Sequence, residues 1–184
     1  IKGKKNILIF FQKTFFESGN WSEIHLLNNV FKHLKGYNGD LHVANSLAVR
    51  YINWTAENVS HLNVYANRGT SGIDGCLSTA VGAAQATNEL VISLIGDVAF
   101  QYDRNALWNK YLPANLRIIV LNNQGGGIFR NLEGAKDLPE LETYMETEQR
   151  FRAKNTAIDA GIAYFNAKNE AELAAILPKF FEKS

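Results

Sequence analysis

Apolar residues along this chain recur at two periods, and their alternation sets out an α/β order of elements. Two runs, Leu90 to Ile95 and Arg117 to Leu121, are almost continuously apolar, as strands buried on both faces are. A helix fits between them, giving a parallel β-α-β unit whose strand ends lie side by side. Shorter stretches, Asp40 to Ala44, Leu62 to Ala66 and Ile162 to Asn166, predict three further strands. Trp21, Ile24, Leu27, Phe31 and Leu34 stand near helical spacing, with Ser22 as N-cap and Gly36 as stop. Residues 71–86 form a helix rich in small residues, and Ser71 and Asp74 have capping-box spacing. Pro139 to Arg150 reads as an acidic helix that Pro139 can start. Arg152 to Ala160 is a short helix, and Asn169 to Lys183 a terminal one that Pro178 must kink or end. The opening residues, 1–16, hold an apolar run, Ile7 to Phe11, that suits either a strand or a linker docked on a neighbour. The expected fold is one α/β domain over residues 17–184, a mostly parallel sheet of about five or six strands with helices on both faces.

Composition adds exclusions. With 184 residues the chain is long enough for a buried core, and 19 basic against 18 acidic residues give a net charge of +1. That balance does not point to nucleic acid or to a membrane surface, and the apolar runs are too short to span a bilayer. A single cysteine, Cys76, excludes a disulfide within the chain and is compatible with a reducing cytoplasm. Lying among small residues, Cys76 reads as a buried, inert thiol. His25 and His33 share no spacing with other metal-type ligands and read as surface histidines.

The chemistry collects at strand ends. Open α/β sheets bind ligands at the carboxyl edge, and four tips point there. The first strand tip is Asn45-Ser46, with Arg50 one helical turn beyond; the next is Asn67-Arg68, opening a Gly-rich turn to Gly75. Arginine offers a planar, permanently charged fork suited to carboxylate or phosphate. Arg50 alone is most simply a surface residue, whereas Arg68 sits in a turn that favours a ligand role. The other tips are Gly96-Asp97 and Asn122 to Gly127. In a β-α-β unit the Asp97 carboxylate and the Asn123 amide oxygen come close, with the Gly125 carbonyl nearby. Three oxygens of this kind suit a hard cation such as Mg²⁺, and glycines let bare backbone approach a phosphate.

Gly96-Asp97 followed some twenty-five residues later by Asn122-Asn123 resembles the thiamine-diphosphate signature. That resemblance implies Asp97, Asn123 and Gly125 as ligands of Mg²⁺ or Mn²⁺ gripping the diphosphate. It also implies Gly96, Val98 and Ala99 beside the cofactor. Residues 45–50 (NSLAVR), 67–82 (NRGTSGIDGCLSTAVG), 96–108 and 122–129 together resemble one family within that group. It is the 2-succinyl-5-enolpyruvyl-6-hydroxy-3-cyclohexene-1-carboxylate synthases of menaquinone biosynthesis, transferases that decarboxylate 2-oxoglutarate and add the succinyl unit to isochorismate. The family implies that Ser46, Arg50 and Arg68 bind substrate carboxylates or hydroxyls. It makes Ile73 the wedge that bends the cofactor, sets Gly72 near the aminopyrimidine, and has Ile128 and Phe129 line the pocket. Two positions depart from the wider pattern: Val98 stands where glycine is frequent, and Ala99 where a hydroxyl often donates to the diphosphate. Losing such a donor costs roughly 1–3 kcal/mol unless it is replaced.

In these enzymes an activating glutamate comes from an amino-terminal pyrimidine-binding domain of a second subunit, and no stretch here matches that domain. The resemblance therefore implies a carboxyl-terminal fragment with no catalytic residue of its own, belonging to a cytoplasmic homodimer or homotetramer and inactive alone. Two alternatives stay open. One is the same domain of another thiamine-dependent decarboxylase or an acetolactate-synthase-like enzyme, which would not require both arginines. The other is a non-catalytic module acting through its interfaces.

Overall fold

The computed structural model describes residues 7–12 and 22–182. Six strands form one sheet: β1 (Ile7–Gln12), β2 (Gly39–Val43), β3 (Asn63–Ala66), β4 (Leu90–Gly96), β5 (Leu116–Asn122) and β6 (Ala163–Ala167). Their order is β3-β2-β4-β5-β1-β6, and every pairing is parallel. Of the two readings of the opening segment, residues 7–12 take the strand, paired to β5 and β6, so the sheet begins ahead of residue 17. Trp21 and the rest of residues 13–21 lie outside the described residues.

Helices cover both faces because the central strands are apolar on both. Ile92, Leu94, Ile119 and Leu121 pack against α1 (Glu23–His33), α2 (Leu47–Trp54) and α6 (Glu170–Phe180). Val91, Ile95, Ile118 and Val120 face the opposite layer of α3 (Cys76–Ala86), α4 (Asp97–Asp103) and α5 (Ala153–Asp159). This alternation is the two-sided burial expected of a parallel sheet. The helices that follow the adjacent strands β2 and β4 therefore leave to opposite faces. In open sheets of this kind ligands bind outside the strand ends where the winding reverses, which here is the carboxyl edge between β2 and β4.

Local chemistry sets most boundaries. Ser22 caps α1 by accepting from the His25 N–H at 3.1 Å, and Asn169 caps α6 by accepting from the Glu172 N–H at 2.9 Å. Pro178 falls in the last turn of α6, which ends two residues later. Two helices differ from expectation. The small-residue helix starts at Cys76 rather than residue 71: Ser71 has φ +56, Gly75 has φ +73, and neither Ser71 nor Asp74 caps it. Its cap comes from elsewhere in the fold. The buried Asp103 carboxylate accepts the Ser78 backbone N–H at 2.7 Å and the Ser78 hydroxyl at 2.6 Å. The acidic helix expected over 139–150 is one wide turn, Leu141–Met145, followed by irregular chain. Leu141 alone is buried there, so that stretch has no apolar stripe to pack. Its backbone bonds elsewhere instead, the Glu146 carbonyl accepting from Gly126 N–H and Gln149 N–H donating to the Gln124 carbonyl.

His33 is half-buried and stacks on Phe181, ring centroids 5.7 Å apart, and burial lowers its pKa; His25 is paired with Glu170 at 3.3 Å. Cys76 is buried, and burial pushes its thiol up, away from the thiolate a nucleophile needs. Among the described residues no helix is long and apolar enough to cross a membrane.

Candidate functional site

The candidate residues gather at the carboxyl edge in two groups on neighbouring strands. At the end of β2, buried Asn45 ties the next tip down. Its amide nitrogen donates to the Asn67 carbonyl at 3.1 Å and the Gly72 carbonyl at 2.6 Å, and its oxygen accepts from Arg68 at 2.8 Å. The guanidinium of Arg50 donates to the Ser46 carbonyl at 2.8 Å. Both arginines thus converge on two successive residues, 45 and 46. Ser46 occupies the cap position of α2 with φ +74 and ψ −131, yet its hydroxyl makes no capping bond. Held strain of this sort in a non-glycine residue, with a free hydroxyl, is a feature of ligand sites.

The second group joins β4 and β5. Gly96 pairs with Leu121, so Asp97 lies beside Asn122. Asp97 is buried at the start of α4, and its Oδ2 accepts from Gln149 Nε2 at 2.6 Å. That same nitrogen donates to Asn122 Oδ1 at 3.2 Å, and Asn122 Oδ1 also accepts the Gln124 N–H at 2.9 Å, turning Gln124 to φ +66. Asn123 donates its amide N–H to Glu23 Oε1 at 3.4 Å, while its Oδ1 is buried and accepts no hydrogen bond. Burial pushes Asp97 up to about 6, the Gln149 bond pulls against that, and the nearby Glu23 charge adds to the rise.

These oxygens fit a hard cation. Among the described residues no cationic side chain meets the buried Asp97 carboxylate through a hydrogen bond or ion pair, and Asn123 Oδ1 is a buried acceptor without a donor. No cluster of three His, Cys, Asp or Glu able to hold a metal exists among the described residues, so a cation here would need amide and carbonyl oxygens as well. Space is consistent as well: Gly96 has an ordinary φ of −74, and a Cβ there would meet nothing within 4 Å. The fold itself therefore does not require glycine at 96.

Other expectations change in detail. Gly125 and Gly126 are needed by the protein's own backbone, because a Cβ on either would press on the Glu146 carbonyl, at 2.7 and 3.2 Å. Gly126 N–H is already spent on that carbonyl. Ala99 is buried with Phe100 in the core layer of α3 and α4, while Val98 is half-buried. Ile73 packs beside the α3 layer and Ile128 beside the α1 layer, so the two lie toward opposite faces of the sheet. The Phe129 ring lies against Gly126. Glu23 and Gln149 were not singled out by sequence, and Asn45 was named there only as a strand tip, without a role. Only Asn45, at a predicted strand tip, carried a signal that could have found it.

Residues 46–184 match the family described as thiamine pyrophosphate enzyme, C-terminal TPP binding domain. Among similar proteins is a 2-succinyl-5-enolpyruvyl-6-hydroxy-3-cyclohexene-1-carboxylate synthase of Cytophaga hutchinsonii, 46% identical over 164 residues, 89% of this chain and 29% of the relative. A protein of the same name from Porphyromonas gingivalis is 36% identical over 181 residues, 98% of this chain and 31% of the relative. The chain thus spans under a third of the length of these curated relatives. The fold is also similar to benzoylformate decarboxylase from Polynucleobacter necessarius, with TM-score 0.64, 17% identity and coverage of 91% of this chain and 32% of that one.

Proposed function

The chain belongs to the thiamine pyrophosphate enzyme family, as its C-terminal TPP-binding domain, and from that premise we propose that it is the cofactor-binding part of a menaquinone-pathway synthase. The substrates proposed are 2-oxoglutarate and isochorismate, the setting cytoplasmic, and the cation Mg²⁺ or Mn²⁺. Asp97, Asn123 and the Gly125 carbonyl would hold that cation, and Gly96 would give the diphosphate room. When bound, thiamine diphosphate supplies the decarboxylation and carboligation chemistry. The chain's own residues bind and orient. The observation that carries the choice of substrates is the convergence of Arg50 and Arg68 on residues 45 and 46, one strand from Asp97. Two permanent cations at one strand end suit reactants that each carry two carboxylates, and a small monocarboxylate would leave one of them unused. The Ser46 hydroxyl, unspent in capping, is free to donate to a substrate oxygen.

The pyrimidine-binding domain of a second subunit would close the open carboxyl edge and supply the activating glutamate, in a homodimer or homotetramer. Calorimetric titration of this chain with thiamine diphosphate and Mg²⁺ should show binding that requires the metal. Assay with 2-oxoglutarate and isochorismate should show no turnover until the pyrimidine-binding domain is added. Full activity from the chain alone, or heat that does not depend on metal, would contradict this reading. An arginine-dependent preference for a small monocarboxylate would favour the alternative decarboxylase.

A further inference from the structure

Glu23 is a carboxylate buried to 7% exposure in the first turn of α1, where burial is costly unless its oxygens are occupied. Leu26, Leu27, Val30 and Phe31 already supply the apolar face of that helix. The carboxylate's Oε2 accepts from the Tyr51 hydroxyl on α2, and its Oε1 accepts from the Asn123 amide nitrogen at 3.4 Å. Burial and the Glu23 charge both push the Tyr51 hydroxyl upward, so it stays protonated as a donor. Three segments far apart in the chain, at 23, 51 and 123, are thereby joined through one side chain.

The consequence falls on the amide of Asn123. An amide can present either its nitrogen or its oxygen to a given neighbour, and only the oxygen can bind a cation. With Nδ2 committed to Glu23, Oδ1 is fixed on the other side of the group, where it is buried and accepts no hydrogen bond. We propose that Glu23, held by Tyr51, is the positioning residue that turns the Asn123 carbonyl oxygen toward the cation. This rests on the reading of Asp97 and Asn123 as cation ligands. Such outer partners fix ligand orientation, and their loss typically weakens metal affinity by about 10–100-fold.

The test is Mn²⁺ binding to this chain in the presence of thiamine diphosphate, read as free Mn²⁺ by electron paramagnetic resonance. Glu23→Leu should weaken binding roughly 10-fold or more. Glu23→Gln keeps an acceptor for the Asn123 N–H and should stay within about threefold of wild type, a rescue that a purely packing role would not require. Unchanged affinity in Glu23→Leu overturns the proposal. So does a loss in Glu23→Gln as large as in Glu23→Leu, since charge rather than amide orientation would then matter. If Glu23→Leu does not fold by circular dichroism, Tyr51→Phe carries the test: clear weakening supports the proposal and wild-type affinity overturns it. Asp97→Asn separates the two levels, because wild-type binding that does not depend on Asp97 overturns the site itself and not merely the role of Glu23.

Discussion

At the amino edge of the sheet, Asn88, Tyr111, Asn115 and Arg117 help to enclose a cavity of about 1190 Å³; at the carboxyl edge, the tip around Asn123 and Gly125 encloses about 250 Å³. Size would favour the first, yet two of its polar side chains, Asn115 and Arg117, are spent on the fold. Asn115 donates to three carbonyls, of Ala84, Thr87 and Glu89. Arg117, buried on β5, donates to the carbonyls of Phe180, Ala114, Leu116 and Glu182. The carboxyl edge is the reverse. It holds Ser46, Ser71, Gln124 and Thr147, the non-glycine residues with positive φ among those described, together with the unpartnered Asn123 Oδ1. Positive φ in non-glycine residues costs stability, so its concentration at one edge marks where binding has to recover it. Room alone marks nothing.

Substitutions can break this contrast. The largest effect expected is on binding: Asp97→Asn should weaken metal-dependent thiamine diphosphate binding at least on the order of 100-fold, beyond the loss typical of outer partners. At the amino edge, Asn88→Ala should leave the same calorimetric titration unchanged. Similar losses from both would erase the distinction.

The next effect is on stability against pH. In metal-free chain Asp97 titrates at about 6 when folded, against its ordinary 3.8. The folded state therefore holds a proton that the unfolded state has released across this window. The stabilisation is fully present below 3.8 and is lost as pH rises through 6, an amount of roughly 3 kcal/mol. Unfolding free energies from urea titration in EDTA should fall by roughly 2 kcal/mol between pH 4 and pH 7, most of that increment, and Asp97→Asn should remove the Asp97 contribution. An undiminished fall in Asp97→Asn would assign the effect elsewhere.

Arg117→Met should cost about 2 kcal/mol in urea unfolding, because buried carbonyls lose their donor, and should leave cation binding unaltered. That pairing would confirm the amino edge as scaffold. The smallest effect is at Ser46, where Ser46→Gly relieves the φ of +74 and should raise stability by about 1 kcal/mol. A loss instead would show that the serine side chain, not the ligand, holds that backbone.

Much of this was legible from the chain. Continuous apolar runs at β4 and β5 could only be doubly buried strands, and their polar ends had to meet at one edge, which places Asp97 beside Asn122 and Asn123. What could not be read depends on partners remote in sequence. Glu23 lies 100 residues from Asn123, Gln149 lies 52 from Asp97, and Asp103 caps α3 from the next helix. Each occupies a position where periodicity predicts an ordinary helix residue. The 139–150 stretch misled for the same reason. Its composition favours a helix, but bonds from Gly126 and Gln124 pull its backbone away. Local propensity yields to tertiary hydrogen bonds wherever no apolar face is at stake.

The most direct test of the account is diffraction from crystals of this chain grown with Mn²⁺ and thiamine diphosphate, using the anomalous signal of the metal. The account predicts a peak with oxygen ligands at about 2 Å from Asp97, Asn123 and the Gly125 carbonyl. A peak elsewhere, or a bound cofactor with Asp97 and Asn123 outside the coordination shell, would contradict it.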